Sequence, residues 1–234
     1  MRSLGPPVGK TTLALFAAAA VAAVSCSSNN AENNPPTASA VAVVSGSAQV
    51  GQVGSSLSAP LIVKVTDQNG NPISGVTVTF SASGGSTLST TTETTDASGI
   101  AESNLTIGTT AGPDTVTAMV SGVSTPAIFT LTANAGAAAS IAVVAGNNQS
   151  GTAGTALSEP LVVEVKDQYD NDVSGATVDW TTSAGLLTGE TQSTTGVNGQ
   201  AQTMLQLPAT AGAVTVTATL HSTDITAVFT ETAM

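Results

Sequence analysis

The chain has 234 residues, of which 8% are charged and 3% aromatic. Its core must therefore come from Val, Leu, Ile and Ala, and its surface from Ser, Thr, Asn and Gln, not from the roughly 25% of charged residues usual in soluble domains. Fifteen acids against four bases give a net charge of −11, and every acid lies after residue 26. Such a body repels nucleic acid and anionic lipid, since neutralising phosphates needs clustered Lys and Arg. The single cysteine cannot form an internal disulfide.

At the start, Arg2 and Lys10 precede Thr11-Thr12-Leu13-Ala14-Leu15-Phe16, an alanine run and Val21-Ala22-Ala23-Val24-Ser25-Cys26. A basic end, a short apolar stretch and small residues at its close predict a secretory signal. The stretch is shorter than the roughly 20 residues that span a bilayer comfortably. Ala23-Val24-Ser25-Cys26 resembles the bacterial lipobox. That resemblance implies cleavage of residues 1–25 and lipidation of Cys26, with Ser27 pointing to the outer membrane. The alternative is ordinary secretion with cleavage near the alanines. Buried acyl chains, at about 0.8 kcal/mol per CH₂, would hold the chain on the membrane. Gly5-Pro6-Pro7-Val8-Gly9-Lys10-Thr11 is not a phosphate loop, because three residues separate its glycines where the motif needs four. Residues 26–38 are polar, contain Pro35-Pro36 and are expected to form a flexible tether.

From about Val41 to Thr132 the sequence returns one hundred positions later without a gap. Gly46 returns as Gly146, Gln49 as Gln149, Pro60 as Pro160, Asp67 as Asp167 and Gly99 as Gly199. Solenoid repeats run to roughly 20–50 residues, so this is a whole module in tandem: residues 39–134, then residues 139–234. In Leu61-Ile62-Val63-Lys64-Val65-Thr66, Leu61, Val63 and Val65 can face inward while Lys64 and Thr66 face water; Leu161, Val163 and Val165 repeat the pattern. Val76, Val78 and Phe80 match Ala176, Val178 and Trp180; Val116, Ala118 and Val120 match Val216, Ala218 and Leu220; Ala127 and Phe129 match Ala227 and Phe229. Charges differ between copies while these inward positions stay apolar. A period of two with one wet face predicts antiparallel sheets. Breakers at Asn69-Gly70-Asn71-Pro72, Gly84-Gly85, Ser98-Gly99, Ala111-Gly112 and Ser121-Gly122 divide each copy into about seven short strands, as in a β-sandwich.

The recurring pattern Pro-Leu-(Ile/Val)-Val-x-Val-x-Asp-Gln, Ser-Gly-x-Thr-Val-x-(Phe/Trp), Gly-x-Ala, Thr-Ala-Gly and Val-Thr-Ala resembles bacterial Ig-like modules of the invasin/intimin kind. The resemblance implies an all-β fold of two tandem Ig-like antiparallel sandwiches on a bacterial surface. In that family, middle modules are spacers and a distal domain binds the host.

The search for chemistry is brief. His221-Ser222-Thr223-Asp224 holds the only histidine, but adjacency in sequence is not a triad, and the first copy has Ser121 in its place. A polar hairpin accounts for it. Asp167-Gln168-Tyr169-Asp170-Asn171-Asp172, with Asp67-Gln68-Asn69-Gly70-Asn71 in the first copy, gathers oxygens as Ca²⁺ requires. Its sixth position is Asp172 or Pro72 instead of Gly, and its twelfth Val178 or Val78 instead of Glu, so the EF-hand reading fails; turn chemistry explains the cluster. Tyr169 is a candidate exposed aromatic, either packed on its loop or free to anchor a partner. No catalytic residue, metal ligand or cofactor is assigned, and no enzyme activity is expected. The expected function is an envelope lipoprotein held in the membrane through Cys26, acting as stalk, adhesion or protein-interaction module with a protein or glycan partner. The alternatives are a carbohydrate-binding accessory module and a subunit that polymerises edge to edge.

Overall fold

The computed structural model describes residues 36–234; the segment expected to be a signal, Cys26 and the expected tether up to residue 35 lie outside them. All regular structure described is β. The first module contains β1 (Ala38–Ser45), β2 (Val50–Gln52), β3 (Leu61–Asp67), β4 (Thr77–Ala82), β5 (Thr87–Leu88), β6 (Thr92–Thr94), β7 (Ile100–Ser103), β8 (Leu105–Thr106), β9 (Gly112–Val120) and β10 (Ala127–Asn134). The second repeats it as β11 (Ala138–Ala145), β12 (Ser150–Gly151), β13 (Leu161–Asp167), β14 (Thr177–Thr182), β15 (Leu186–Leu187), β16 (Gln192–Thr194), β17 (Gln200–Thr203), β18 (Leu205–Gln206), β19 (Gly212–Leu220) and β20 (Thr226–Ala233).

In module 1 a three-stranded sheet, β1-β3-β7, faces a five-stranded sheet, β2-β10-β9-β4-β6, with β5 and β8 as a small separate pair. Module 2 has the same order: β11-β13-β17 against β12-β20-β19-β14-β16, plus β15 and β18. All pairings are antiparallel except β2 with β10 and β12 with β20. The strand number exceeds the expected seven because the first strand is split across both sheets and because β5 and β8 add a two-residue pair. Gly46 makes the split possible. Its φ of +95° is a left-handed conformation, and a Cβ there would lie 2.3 Å from the Pro60 carbonyl oxygen; Gly146, at +88°, would meet Pro160 at 2.0 Å. Gln49 then staples the turn, donating from Nε2 to the carbonyls of Gly46 and Ala59 and accepting the Ala59 N–H on Oε1. Gln149 does the same with Gly146 and Glu159. The repeated Gly, Gln and Pro are thus parts of one crossover.

Each module has its own core. Leu61, Val63, Val65, Val78, Phe80 and Phe129 are buried in the first; Leu161, Val163, Val165, Val178, Trp180 and Phe229 in the second. A fully buried side chain of this size contributes about 1.5–3 kcal/mol, so a few tens of methyl groups replace the missing aromatics. Trp180 packs on Phe229, ring centroids 6.0 Å apart, and its indole N–H donates to Ser193 Oγ at 2.9 Å. Two expectations need correction. Lys64 and Thr66 are half-buried instead of water-facing, because β3 is the middle strand and its neighbours shield its outer side. The inward positions are also not all apolar. Asp114 in β9 is 4% exposed and Glu231 in β20 is 0% exposed, where the other copy has Val214 and Leu131.

Candidate functional site

The conspicuous polar cluster of the sequence lies where the modules meet. Asp167 ends β13 and is almost fully buried. Its Oδ1 accepts the N–H groups of Tyr169 (2.8 Å) and Asn171 (3.0 Å). Its Oδ2 accepts the Asn171 side-chain amide (2.9 Å) and the Gly136 N–H of the linker (2.8 Å). Burial pushes the Asp167 carboxyl upward, but these donors outweigh it and hold the group below its ordinary value. Asp67 makes the corresponding loop bonds to Asn69 and Asn71 and is also held low, burial again opposing the donors.

The outer carboxylates of the loop surround an ammonium group. Lys166 Nζ lies 2.8 Å from Asp172 Oδ1, 3.4 Å from Glu164 Oε2 and 3.9 Å from Asp170 Oδ1. The bond to Asp172 and the charges of all three acids raise the Lys166 pKa against the pull of burial. Among the described residues no three His, Cys, Asp or Glu side chains are placed to hold a metal ion together. The loop's acids serve as a turn cap and as partners for a built-in cation.

Three contacts join this loop to the first module. The Asn171 side chain donates from Nδ2 to the Thr109 carbonyl (2.8 Å) and accepts the Ala111 N–H on Oδ1 (2.8 Å). Tyr169, 41% exposed, lies over Gly54; a Cβ built on Gly54 would sit 3.2 Å from the tyrosine hydroxyl. Beside the contact runs a groove of about 740 Å³ lined by Gln52, Ala133, Asn134, Val173, Ser174 and Val197. The tyrosine is therefore loop packing, directed at the neighbouring module. Sequence reading singled out Asp167 and Tyr169 but missed Asn171 as a cross-module residue. Asn171 is identical to Asn71, so comparing the repeats could not mark it. The exchange of Pro36 for Gly136, which supplies the N–H that Asp167 holds, is the signal that was there to read.

His221 sits in the hairpin between β19 and β20, as expected. Its partner is not Asp224 but Asp179 of β14, Nδ1 to Oδ2 2.6 Å, while Gln192 donates to the other Asp179 oxygen at 2.7 Å. The Gln192 bond, and then His221, hold the Asp179 carboxyl below its ordinary value. Thr223 spends its hydroxyl on the Leu220 carbonyl, and Ser222 takes a left-handed turn conformation (φ +61°). Histidine, serine and aspartate of this stretch are not brought into a catalytic arrangement.

Residues 54–132 match the family described as Bacterial Ig-like domain (group 1). Most of module 1 is thus similar to a bacterial Ig-like domain. The second Ig-like module repeats its topology and register one hundred residues on. Among solved structures, the Escherichia coli adhesin FdeC is similar at 25% identity over 83% of this chain and 65% of its own, with a TM-score of 0.50. InvD of Yersinia pseudotuberculosis is similar in fold at 20% identity over 84% of this chain and 57% of its own, with a TM-score of 0.54. Invasin, a bacterial integrin-binding protein, matches at 26% identity over 85% of this chain and 39% of its own, with a TM-score of 0.39. The chain thus spans under two thirds of the length of each of these structures. No curated protein sequence matches it significantly.

Proposed function

We propose that the chain is a bacterial envelope lipoprotein whose two Ig-like modules act as a surface stalk or adhesion and protein-interaction element, anchored through lipidated Cys26. The observation that carries the adhesive reading is the likeness to the adhesin FdeC along most of the chain. The lipobox-like Ala23-Val24-Ser25-Cys26 supports the anchor. The buried aromatics Phe80, Phe129, Trp180 and Phe229 leave Tyr169 as the exposed ring among the described residues, which favours a protein surface over a sugar-stacking platform as the site of contact.

Fractionation of cells expressing the wild type and Cys26→Ser tests the anchor. The wild type should pellet with membranes and accumulate as a larger, uncleaved precursor under globomycin, whereas Cys26→Ser should be soluble and insensitive to globomycin; identical fractionation and processing overturn it. Surface digestion of intact cells and their adhesion to host-cell monolayers test the rest. A protein shielded from external protease, with no effect on adhesion, removes the surface reading. Binding on a glycan array with none to cells would replace it with the carbohydrate-binding one.

A further inference from the structure

A linker alone does not fix one Ig-like module on another. Only residues 135–137 separate β10 from β11, and small or polar linkers permit wide bending. Contacts between modules of one chain are generally small and polar, so relative motion is the default. Here three features oppose that default. Asn171 uses both ends of its side-chain amide across the boundary, on the Thr109 carbonyl and the Ala111 N–H. Asp167 grips both Asn171 Nδ2 and the linker N–H of Gly136, so a single carboxylate orients the amide and pins the linker. Tyr169 lies against Gly54, a position where any side chain would crowd it.

We propose that Asn171, positioned by Asp167 and backed by Tyr169 on Gly54, is a latch that locks the two modules at one fixed angle. The amide is suited to the task because it donates and accepts at once, matching a carbonyl and an N–H two residues apart. Without it, both backbone groups of module 1 turn to water and the Asp167 bond to the Gly136 N–H is left to hold the linker without the amide across the boundary.

The repeat supplies the controls. Asn71 occupies the same place in module 1 and bonds to Asp67 of its own loop. Gly154 corresponds to Gly54 with nearly the same backbone (φ +81° and +74°), but a Cβ on Gly154 meets nothing within 4 Å. Spin labels on Thr79→Cys and Thr181→Cys in the full chain carrying Cys26→Ser would report the intermodule distance by pulsed dipolar spectroscopy. The parent should give one narrow distribution. Asn171→Ala and Asn171→Asp should broaden it about twofold or more, as free intermodule motion requires, and Asn71→Ala should not. Gly54→Leu, which wedges the joint from the other module and leaves the module 2 loop untouched, should broaden it, while Gly154→Leu should not. Circular dichroism and Trp180 fluorescence verify that each variant is folded. An unchanged width in the Asn171 variants overturns the proposal; so does equal broadening by Gly54→Leu and Gly154→Leu.

Discussion

The two modules share a fold yet differ at one cross-strand pair in the five-stranded sheet. In module 1, Asp114 of β9 faces Leu131 of β10; in module 2, Val214 of β19 faces Glu231 of β20. Each copy thus buries one carboxylate, but on opposite strands. Asp114 is well supplied: the Ser83 and Ser86 hydroxyls and the Thr115 N–H all donate to it. Glu231 has the Gln149 N–H on Oε2 (2.6 Å), and its Oε1 is buried without a partner. Where module 1 has Ser86 to satisfy its acid, module 2 has Leu186, 60% exposed. A buried acid can be accommodated in the same place by different means, and the quality of its hydrogen bonding decides the cost.

The most damaging way to break this comparison is to give one module both acids. Leu131→Glu would set a second carboxylate across from Asp114, at the roughly 4.5–5.5 Å Cβ separation of facing strand residues. Two like charges in a dry interior should cost about 3–5 kcal/mol, enough to unfold module 1 at ordinary temperature. Circular dichroism should lose about half its strand signal while Trp180, which reports only module 2, keeps its buried emission. A cooperative, wild-type melt would show that the pair tolerates charge freely.

The opposite exchange should help. Glu231→Leu copies module 1 into module 2 and removes the unpartnered oxygen, for an expected gain of about 1–3 kcal/mol. Urea unfolding followed by Trp180 fluorescence measures it, and a loss would mean that the Gln149 bond outweighs the burial. The gain should also depend on pH. Burial raises the Glu231 pKa from 4.5, against the N–H groups of Gln149 and Asn148. A raised folded-state value means the acid form fits the core and the ionised form does not. The penalty is absent below the unfolded value near 4.5 and grows as pH rises through the folded value. The benefit of Glu231→Leu should accordingly be large at pH 8 and small at pH 4. Asp167 has the reverse sign: its lowered value stabilises the loop above about pH 3.8 and that contribution is lost as pH falls. A flat difference between wild type and Glu231→Leu across this range would remove the burial argument.

The sandwich was legible because alternation in residues 61–66, 76–80 and 116–120 reports which side chains face a core, and because the repeat doubled every such signal. What escaped was set by geometry that periodicity does not carry. Glu231 sits in phase with Phe229 and so belongs to the inward face, yet a charged residue at that phase reads as surface. His221 was seen, but its partner Asp179 lies forty-two residues away on another strand, beyond any local pattern. The Asp167 loop was read as turn chemistry, and its carboxylate accepts the turn's N–H groups, while its role at the joint depended on which residues of module 1 lie opposite, and only the folded chain shows that.

The mildest difference concerns Trp180 and Phe80, which fill equivalent core positions. The indole brings an N–H that must be satisfied on burial, and Ser193 accepts it where module 1 has Glu93. Ser193→Ala should therefore cost about 0.5–1.5 kcal/mol and shift Trp180 emission. Glu93→Ala, beside a phenyl ring that needs no acceptor, should change stability by less than about 0.5 kcal/mol. Thermal melts by circular dichroism, with Trp180 fluorescence assigning the module 2 transition, separate the two. Equal costs would mean that position 193 matters for strand pairing, and the hydroxyl for nothing in particular. Unequal costs would tie Ser193 to Trp180 as a matched substitution, the second place where one module changed a buried side chain and supplied its partner from a neighbouring strand.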